Sequence, residues 1–333
     1  MPKVSVLMPV YNAEQFLAEA IDSIIQQSFQ DWELIIIDDG STDNSAFIIS
    51  QYKDNRIYYL KNKENIGLIK SLNLGIDLCD GEYIARMDAD DIATPNRLML
   101  QAAFMDKHPR HILCGSNALV IDKKNEITGR IKNLTHNNYL QINLLFSVPF
   151  IHPSMLIRRK ALADDKYNEN YLHVEDFELW CRLSQKGEIA NINRFLLNYR
   201  WHNTNVSVLN SEIQEKLKDK IITEQIERLG LIPNNEELEC HKITFNLYKF
   251  GNKLKISVEH MRKVEIWFSK LISKNREQRL FKNSHFIAYL WSRWCVLCIS
   301  QKKYSKMLIP SFASLNPVIL CRLIGLIFFL KQK

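Results

Sequence analysis

The chain has 333 residues, of which 46% are hydrophobic and 24% charged, a length and composition typical of a globular protein with a substantial core. Its 7 cysteines are scattered and odd in number, which argues against a disulfide framework and favours reduced thiols in the cytoplasm. The N-terminal residues lack the charged and apolar regions of a secretory signal peptide, so a signal peptide is not expected.

The first part of the chain alternates short apolar strands with amphipathic helices. The apolar runs predict strands at residues 4–8, 33–37, 57–60 and 82–87. Helices are predicted between them, at about residues 14–27, 41–52 and 67–78, the second with Ser41 or Thr42 as its cap. Continuous apolar strands separated by such helices indicate an α/β fold with a mostly parallel, twisted sheet between helices.

The fourth predicted strand is followed by three carboxylates, Asp88, Asp90 and Asp91. Like charges at this spacing repel one another, and burying one of them without a partner is costly. The pattern therefore indicates a divalent cation, and carboxylate oxygens suit Mg²⁺ or Mn²⁺. The alternative is a solvated acidic turn before a helix that begins near Pro95. Asp91 is also expected to pair with Arg97 or to cap that helix.

Polar residues at two other strand ends point to the same place. Asn12 follows the first predicted strand, and Asp38 and Asp39 follow the second. Ligands of parallel sheets bind beyond the carboxyl ends of the strands. These residues are therefore expected to share one site with Asp88 and Asp90.

The C-terminal region differs from the rest of the chain in charge and pattern. Residues 211–333 read as helical and carry 22 Lys and Arg against 11 Asp and Glu, whereas residues 1–210 carry 22 against 26. The basic, apolar composition predicts either association with an anionic membrane surface or a helical subdomain whose cations are solvated. The last apolar run is shorter than the ~20 residues of a bilayer crossing. With no known nucleic-acid motif, no nucleic-acid partner is expected.

Several short motifs follow one another in a characteristic order. They are Pro9-Val-Tyr-Asn12, Asp38-Asp39-Gly-Ser-Thr-Asp43, Asn65-Ile-Gly67, Asn73-Leu-Gly75, Met87-Asp88-Ala-Asp90-Asp91, His152-Pro-Ser154, Glu175-Asp176 and Tyr199-Arg-Trp-His202. In order and spacing they resemble the motifs of the family 2 glycosyltransferases of the bacterial surface-polysaccharide type, inverting enzymes with the GT-A nucleotide-sugar fold. The resemblance covers about residues 3–205 and implies a GT-A domain at 1–210 followed by a helical extension at 211–333.

This resemblance implies transfer of a sugar from a nucleoside-diphosphate donor, with a UDP-sugar expected, to a hydroxyl of a glycan or lipid-linked acceptor. A divalent metal, Mn²⁺ or Mg²⁺, is implied because the departing diphosphate concentrates negative charge. Asp90 is expected to bind the metal, and Asp88 to reach the ribose or a metal-bound water. His202 is expected to bind the metal or to donate a hydrogen bond to the diphosphate. The alternative is that it is a packed side chain without a role in binding.

The nucleotide-binding residues that the resemblance implies are Pro9, Tyr11, Asn12, Asp39, Asp88 and Lys70. Asp39 is expected to accept the imide N–H of a uracil or thymine ring, while Asp38 ends its strand and caps the helix behind it. Tyr11 is expected to stack on the base, with simple packing as the alternative. Many members of the family have Arg where this chain has Leu72, so Lys70 is the expected substitute for a phosphate contact.

The catalytic base implied by the resemblance is Asp176, which would remove the proton of the acceptor hydroxyl during attack on the anomeric carbon. Glu175 points in a different direction from its neighbour and is assigned, with His152 and Trp180, to the acceptor or sugar pocket. For Trp180 a core position is the alternative. Acidic residues at a helix start are also favoured by the helix dipole in any protein, which is the alternative for Asp176.

Two other functions stay open on the sequence. A nucleotidyltransferase that makes a nucleotide-sugar would share the sheet and the acidic site, but it usually has a Gly-rich phosphate loop with Lys or Arg where Pro9-Val-Tyr-Asn12 stands. A non-catalytic membrane-associated module would not need the intact carboxylates. For a transferase with a lipid-linked acceptor, the expected location is the cytoplasm, peripheral on the inner face of the cytoplasmic membrane.

Overall fold

The chain divides into two compact units. The first comprises residues 1–136 and 149–214, and the second comprises residues 137–148 and 215–333. The computed structural model describes residues 1–163, 165–201, 211–250, 255–303, 310 and 317–330. The domain boundary predicted at residue 210 stays a prediction, and residues 137–148 group with the second unit.

The first unit is built on one mixed sheet. Its strands are β1 (Val4–Val10), β2 (Trp32–Asp38), β3 (Ile57–Lys61), β4 (Tyr83–Arg86), β5 (Ile92–Ala93), β6 (His111–Ile121), β7 (Ile127–Ile131), β8 (Leu156–Arg158) and β9 (Glu188–Arg200). Their order is β3-β2-β1-β4-β8-β6-β9-β5, with β7 paired to β6. Strands β1 to β4 are parallel, as predicted, whereas β8 runs antiparallel to both β4 and β6.

Helices connect the strands. In chain order they are α1 (Leu17–Ile25), α2 (Ser45–Ser50), α3 (Leu68–Leu78), α4 (Arg97–Lys107), α5 (Asn137–Asn143, in the second unit), α6 (Arg159–Leu162) and α7 (Glu175–Leu183). The apolar residues of α1 recur at three- and four-residue steps, which places Leu17, Ile21 and Ile24 in the core. The cap predicted at Ser41 or Thr42 is wrong, because α2 begins at Ser45 and Ser41 Oγ accepts a hydrogen bond from the amide of Asn12 instead.

The central strands β1, β2 and β4 are paired so that their carboxyl ends lie together. Every residue of β1 and β2 is buried, as expected for strands covered on both faces. β1 pairs in parallel with β2, with Val10 opposite Asp38, and with β4, with Leu7 opposite Arg86. The carboxyl ends of these three strands therefore lie at one edge of the sheet, and the polar residues that follow the strands are brought to that edge.

The second unit is helical, in agreement with the predicted C-terminal extension. After α5, the helices are α8 (Ser211–Glu227), α9 (Asn235–Phe250), α10 (Val258–Gln278), α11 (Asn283–Ser300) and α12 (Pro317–Leu330). Helices α9 and α10 meet at His241, whose Nδ1 accepts a hydrogen bond from Trp267 Nε1 at 3.1 Å. Among the described residues, none of these helices combines the length and the apolar character that crossing a bilayer demands.

Candidate functional site

The acidic residues after β4 form a compact cluster. One carboxylate oxygen from each of Asp88, Asp90 and Asp91 lies within 4.8 Å of the others. Asp91 is buried, and its Oδ2 has no hydrogen-bond partner in the described part of the chain. Burial together with the neighbouring carboxylates raises the pKa of Asp91 well above its usual value. A cation would remove both penalties, so the donor set fits a hard divalent metal ion.

The cluster is held by Arg200, a residue that the sequence analysis did not single out. Arg200 is fully buried, and its Nε donates to the carbonyl oxygen of Asp90 at 2.7 Å. Its amide N–H donates to Asp91 Oδ1 at 2.8 Å, and Nη2 pairs with Glu19 of α1 at 2.8 Å. The expected pairing of Asp91 with Arg97 is therefore replaced by a contact with Arg200. The sequence signal for Arg200 was its place after Tyr199 in the motif Tyr199-Arg-Trp-His202.

Arg86, the last residue of β4, places a second cation beside the cluster. It is only 3% exposed, and its Nη1 forms an ion pair with Asp88 Oδ1. Its carbonyl oxygen accepts a hydrogen bond from Arg97 Nη2 at 2.7 Å, which fixes the end of the strand against α4. The orientation of Asp88 is thus set by a buried guanidinium that the sequence analysis also did not single out.

Asp39 supports the loop that leads into α3. Its Oδ1 accepts hydrogen bonds from Asn62 Nδ2 at 2.8 Å and from the amide of Ile66 at 2.9 Å. Its Oδ2 accepts one from the amide of Gly67 at 2.8 Å. A carboxylate has about four acceptor positions, so these three donors leave capacity for one more. Gly67 has φ +94°, a conformation that glycine adopts without strain, which lets the loop turn toward this carboxylate.

Asp38 has a different set of partners. Its Oδ1 accepts from the amide of Ser41 at 2.8 Å, and its Oδ2 accepts from Tyr59 Oη at 2.8 Å. Lys61 Nζ lies 3.7 Å from the same carboxylate. Asp38 therefore ties the turn after β2 to β3. It does not cap α2, in contrast to the sequence-based expectation.

The loop after β1 carries the remaining residues of the nucleotide side. Asn12 has φ +49°, and its Oδ1 accepts a hydrogen bond from the amide of Thr42 at 2.9 Å, which locks this loop to the loop after β2. Tyr11 is 51% exposed, so its ring is accessible to a ligand. Pro9 lies within β1 opposite Ile37.

Lys70 lies on the first turn of α3. Its Nζ is 3.8 Å from Glu169 Oε2, and both side chains are more than half exposed. An ion pair of this kind is weak, so Lys70 is available to a phosphate group. His202 lies outside the described residues.

The sugar side of the predicted site surrounds Tyr167. The backbone of Tyr167 is held by two hydrogen bonds with the side-chain amide of Asn73, at 2.9 and 3.0 Å. Its hydroxyl lies 2.7 Å from His152 Nε2. Trp180 is fully buried and contacts the ring of His152 edge-on with 5.9 Å between ring centroids, so the indole supports His152 from the core.

Glu175 and Asp176 begin α7 beside these rings. Glu175 is buried, and burial together with the charge of Asp176 raises the pKa of Glu175 to about 7. Asp176 is partly exposed, and its Oδ1 accepts a hydrogen bond from the amide of Phe177 at 2.7 Å. The two neighbours therefore differ in environment, with the more accessible carboxylate being the one predicted to act as base.

Electrostatic effects on Tyr167 connect the two sides of the site. Burial raises the pKa of this phenol, the charge of Arg86 opposes the shift, and the carboxylates of Glu175, Asp176 and Asp88 add to it. Asp88 and Asp176 thus act on the same side chain although they are far apart in the sequence. The structure brings the acidic cluster and the predicted base into one neighbourhood.

Comparisons with known proteins identify similar chains. A family model described as Glycosyl transferase family 2 matches residues 5–165. An uncharacterized glycosyltransferase of Haemophilus influenzae is 36% identical over 247 residues, which cover 69% of this chain and 76% of that protein. The Escherichia coli UDP-Glc:alpha-D-GlcNAc-diphosphoundecaprenol beta-1,3-glucosyltransferase WfgD is 28% identical over 218 residues, which cover 64% of this chain and 81% of that protein. The crystal structure of S. aureus TarS 1-349 in complex with UDP-GlcNAc has a TM-score of 0.55 and 18% identity, and covers 92% of this chain and 90% of that chain.

Proposed function

Because the chain belongs to glycosyl transferase family 2, we propose that it transfers a sugar from a UDP-sugar to a hydroxyl group, with inversion at the anomeric carbon. The family, the GT-A fold and the glycosyltransferase class predicted from the sequence are confirmed, and no observation favours a nucleotidyltransferase or a non-catalytic module. The observation that carries the proposed mechanism is the cluster of Asp88, Asp90 and Asp91 at the carboxyl ends of parallel strands.

The proposed cofactor is Mn²⁺ or Mg²⁺. Asp90 would hold the ion, Asp88 would reach the ribose or a water on the ion, and the unpaired Oδ2 of the buried Asp91 supports a positive charge at this position. The ion would supply positive charge where the diphosphate leaves. Arg200 would keep the main chain of Asp90 and the carboxylate of Asp91 in place for it.

Calorimetric titration of UDP with and without Mn²⁺ tests this assignment. In the unmodified protein Mn²⁺ is expected to strengthen UDP binding, and in Asp90→Ala that increase is expected to disappear. Asp77→Ala is the matched control, because Asp77 is an exposed carboxylate on α3 that pairs with Lys166. Mn²⁺-dependent UDP binding that survives in Asp90→Ala would remove Asp90 from the metal site.

On the nucleotide side we infer that Asp39 accepts the imide N–H of uracil. Its three protein donors leave an acceptor position, and the carboxylate has no donor of its own with which to bind cytosine in the same way. The exposed ring of Tyr11, at the neighbouring strand end, supplies a surface for the base. The UDP-GlcNAc bound by TarS supports the choice of a uridine nucleotide.

Asp176 is the proposed general base. It is the more accessible carboxylate at the start of α7, and its charge reaches the same phenol as that of Asp88. A base in this position would take the proton of the acceptor hydroxyl while the diphosphate leaves on the opposite side. His152, held by Tyr167 and backed by Trp180, is proposed to line the pocket between them.

For the acceptor we propose a lipid-linked glycan, and for the protein a peripheral position on the cytoplasmic face of the membrane. The name of WfgD specifies a diphosphoundecaprenol acceptor, which is a lipid. In this chain, α10 exposes Val258 and Ile266, at 53% and 62%, on the same helix face as the exposed Arg262. An apolar and basic stripe of this kind suits an anionic membrane surface.

Vesicle flotation tests the membrane proposal. The full chain is expected to float with vesicles that contain phosphatidylglycerol, and Ile266→Asp is expected to float less. Leu78→Asp is the control, because Leu78 is 45% exposed on α3 of the first unit. Equal flotation of all three proteins, or no flotation of any, would contradict the assignment of this stripe.

A further inference from the structure

Three buried polar atoms without partners occur on the sugar side of the site. Within the described residues, Arg86 Nε, Glu175 Oε2 and Trp180 Nε1 have no hydrogen-bond partner. The three residues are only 3%, 6% and 0% exposed. Buried polar atoms are normally paired, because an unpaired one loses its hydration without compensation. A ligand that reached these atoms would supply the missing partners.

The three residues come from different elements but share neighbours. Arg86 ends β4, while Glu175 and Trp180 lie on α7. The ring of His152 lies 5.9 Å from that of Trp180, and burial and the charge of Arg86 together lower the pKa of His152. Arg86 also opposes the rise in the pKa of Glu175 that burial and Asp176 cause. The charge of the Arg86 guanidinium therefore acts on Glu175 and also on His152, whose ring lies against Trp180.

The chemistry of the three atoms restricts the ligand. Arg86 Nε and Trp180 Nε1 carry hydrogen and need an acceptor, whereas Glu175 Oε2 accepts when ionised and can donate when protonated. A phosphate group would meet the carboxylates of Glu175 and Asp176, and an apolar group would satisfy none of the atoms. A hydroxyl group both donates and accepts, so it can pair with all three.

We propose that Arg86, Glu175 and Trp180 form the subsite for hydroxyl groups of the transferred sugar, and that Arg86 is a specificity-determining residue of this enzyme. This inference rests on the proposed function. Arg86 Nη1 stays paired with Asp88 while Nε binds the sugar, so one buried guanidinium connects the sugar with the acidic cluster. A sugar that lacks the correctly directed hydroxyl leaves these buried atoms unpaired and is rejected.

The test compares UDP with UDP-glucose, UDP-galactose, UDP-GlcNAc and UDP-GalNAc by calorimetry in the presence of Mn²⁺. The measured quantity is the sugar increment, defined as the ratio of the Kd of UDP to that of the tightest UDP-sugar. Arg86→Lys keeps a cation beside Asp88 but lacks the Nε–H. It is expected to lose about tenfold of the increment, which is a ratio and therefore already corrects for any change in the Kd of UDP that follows from the contact of Arg86 with Asp88.

Trp180→Phe is the second variant and guards against misfolding of Arg86→Lys. Phenylalanine keeps an aromatic ring against His152 but removes the indole N–H. It is expected to reduce the increment about fivefold, with a melting temperature close to that of the unmodified protein. Where Arg86→Lys shows no cooperative thermal transition, Trp180→Phe decides alone.

The outcomes separate this inference from the proposed function. An undiminished increment in the folded variants overturns the subsite. An unmodified protein that binds UDP with Mn²⁺ but prefers none of the four sugars also overturns it, while the nucleotide site stands. An unmodified protein that binds neither UDP nor any UDP-sugar overturns the proposed function itself.

Discussion

The two units of the chain bury different kinds of polar side chain. Among the described residues, the first unit buries the carboxylates Glu33, Asp38, Asp39, Asp91 and Glu175, whereas the buried polar side chains of the second unit are neutral or basic. Buried carboxylates are costly unless they are paired. Asp38 and Asp39 have hydrogen-bond donors from the chain, but Asp91 and Glu175 each keep one buried oxygen without a partner.

His241 shows what a buried polar residue does in the second unit. Its Nδ1 accepts from Trp267 Nε1, its Nε2 donates to the carbonyl oxygen of Leu145 at 2.7 Å, and its ring stacks on Phe146 at 4.0 Å. Both ring nitrogens are used within the unit, and burial lowers the pKa of His241 to about 4. Asp91 and Glu175 each keep an oxygen that a ligand could contact, whereas this paired imidazole fixes helix packing within the second unit.

If the first unit holds the ligand site, the largest effect on activity is expected from the substitution Asp176→Asn in that unit. If Asp176 is the base, the turnover number falls by about 10²–10⁴-fold, while the Kd of UDP with Mn²⁺ and the melting temperature stay unchanged. Turnover is measured as release of UDP from the preferred UDP-sugar in the presence of acceptor. Glu178→Gln is the control, because Glu178 lies on the same helix and pairs with Arg182. Transfer at the unmodified rate by Asp176→Asn would remove the base assignment.

Arg200→Lys tests the support of the acidic cluster. Lysine keeps a charge near Glu19 but cannot also hold the carbonyl oxygen of Asp90. Loss of such supporting contacts typically weakens metal binding by ~10–100-fold, and we expect this for Mn²⁺ measured by electron paramagnetic resonance.

The control for Arg200→Lys is Arg182→Lys, another arginine of the first unit, which pairs with Asp165 at 2.8 Å. It is expected to leave Mn²⁺ binding unchanged. Equal Mn²⁺ affinity in the unmodified protein and Arg200→Lys would show that the cluster does not depend on this guanidinium.

The contribution of Arg200 also shows where prediction from the sequence ends. The strands β1 to β4 are readable because their apolar runs are continuous, and the acidic edge follows because parallel strands end together. The contact of Arg200 with Asp90 joins residues more than one hundred positions apart, and no local pattern encodes it. The order of the motifs identified the segment that contains Arg200, but it did not identify the hydrogen bond from Arg200 to Asp90.

Two other features were hidden for physical reasons. The hydroxyl of Ser41 could accept a hydrogen bond either from the first turn of a helix or from a residue distant in the sequence. In the structure it accepts from the amide of Asn12, so it does not cap α2. The direction of β8 is not encoded in its three residues, Leu156–Arg158, because a run that short has no readable period. Likewise, a tryptophan one turn after the Glu175-Asp176 motif reads equally as a pocket wall and as core, because a side chain in either position is buried.

In the second unit, substitution of His241 is expected to change the free energy of unfolding and the way it depends on pH. The unfolded imidazole of His241 binds a proton below pH 6.5, whereas the folded one stays neutral until about pH 4. Stability is therefore fully present above pH 6.5 and is lost as the pH falls toward 4. At pH 5 the loss attributable to His241 is about 2 kcal/mol.

His241→Gln removes this titration, so its free energy of unfolding is expected to lose about 2 kcal/mol less than that of the unmodified protein between pH 7.5 and pH 5. Hydrogen exchange of α9 and α10 measures the second unit separately from the first. The Kd of UDP should not change. Identical pH dependence in the two proteins would show that His241 does not titrate as its burial indicates.

The smallest expected effect is that of Lys70→Ala, which separates binding from stability within the first unit. Lys70 and Glu169 form a long, exposed ion pair, so removing the amine should change the free energy of unfolding by less than about 0.5 kcal/mol. If Lys70 contacts a phosphate of the donor, the Kd of UDP rises a few-fold and the effect shrinks at high salt. Lys53→Ala, which removes an exposed lysine after α2, should change neither quantity. A UDP affinity that is the same in both variants would leave Lys70 a surface residue, and the missing arginine at the position of Leu72 would then have no substitute.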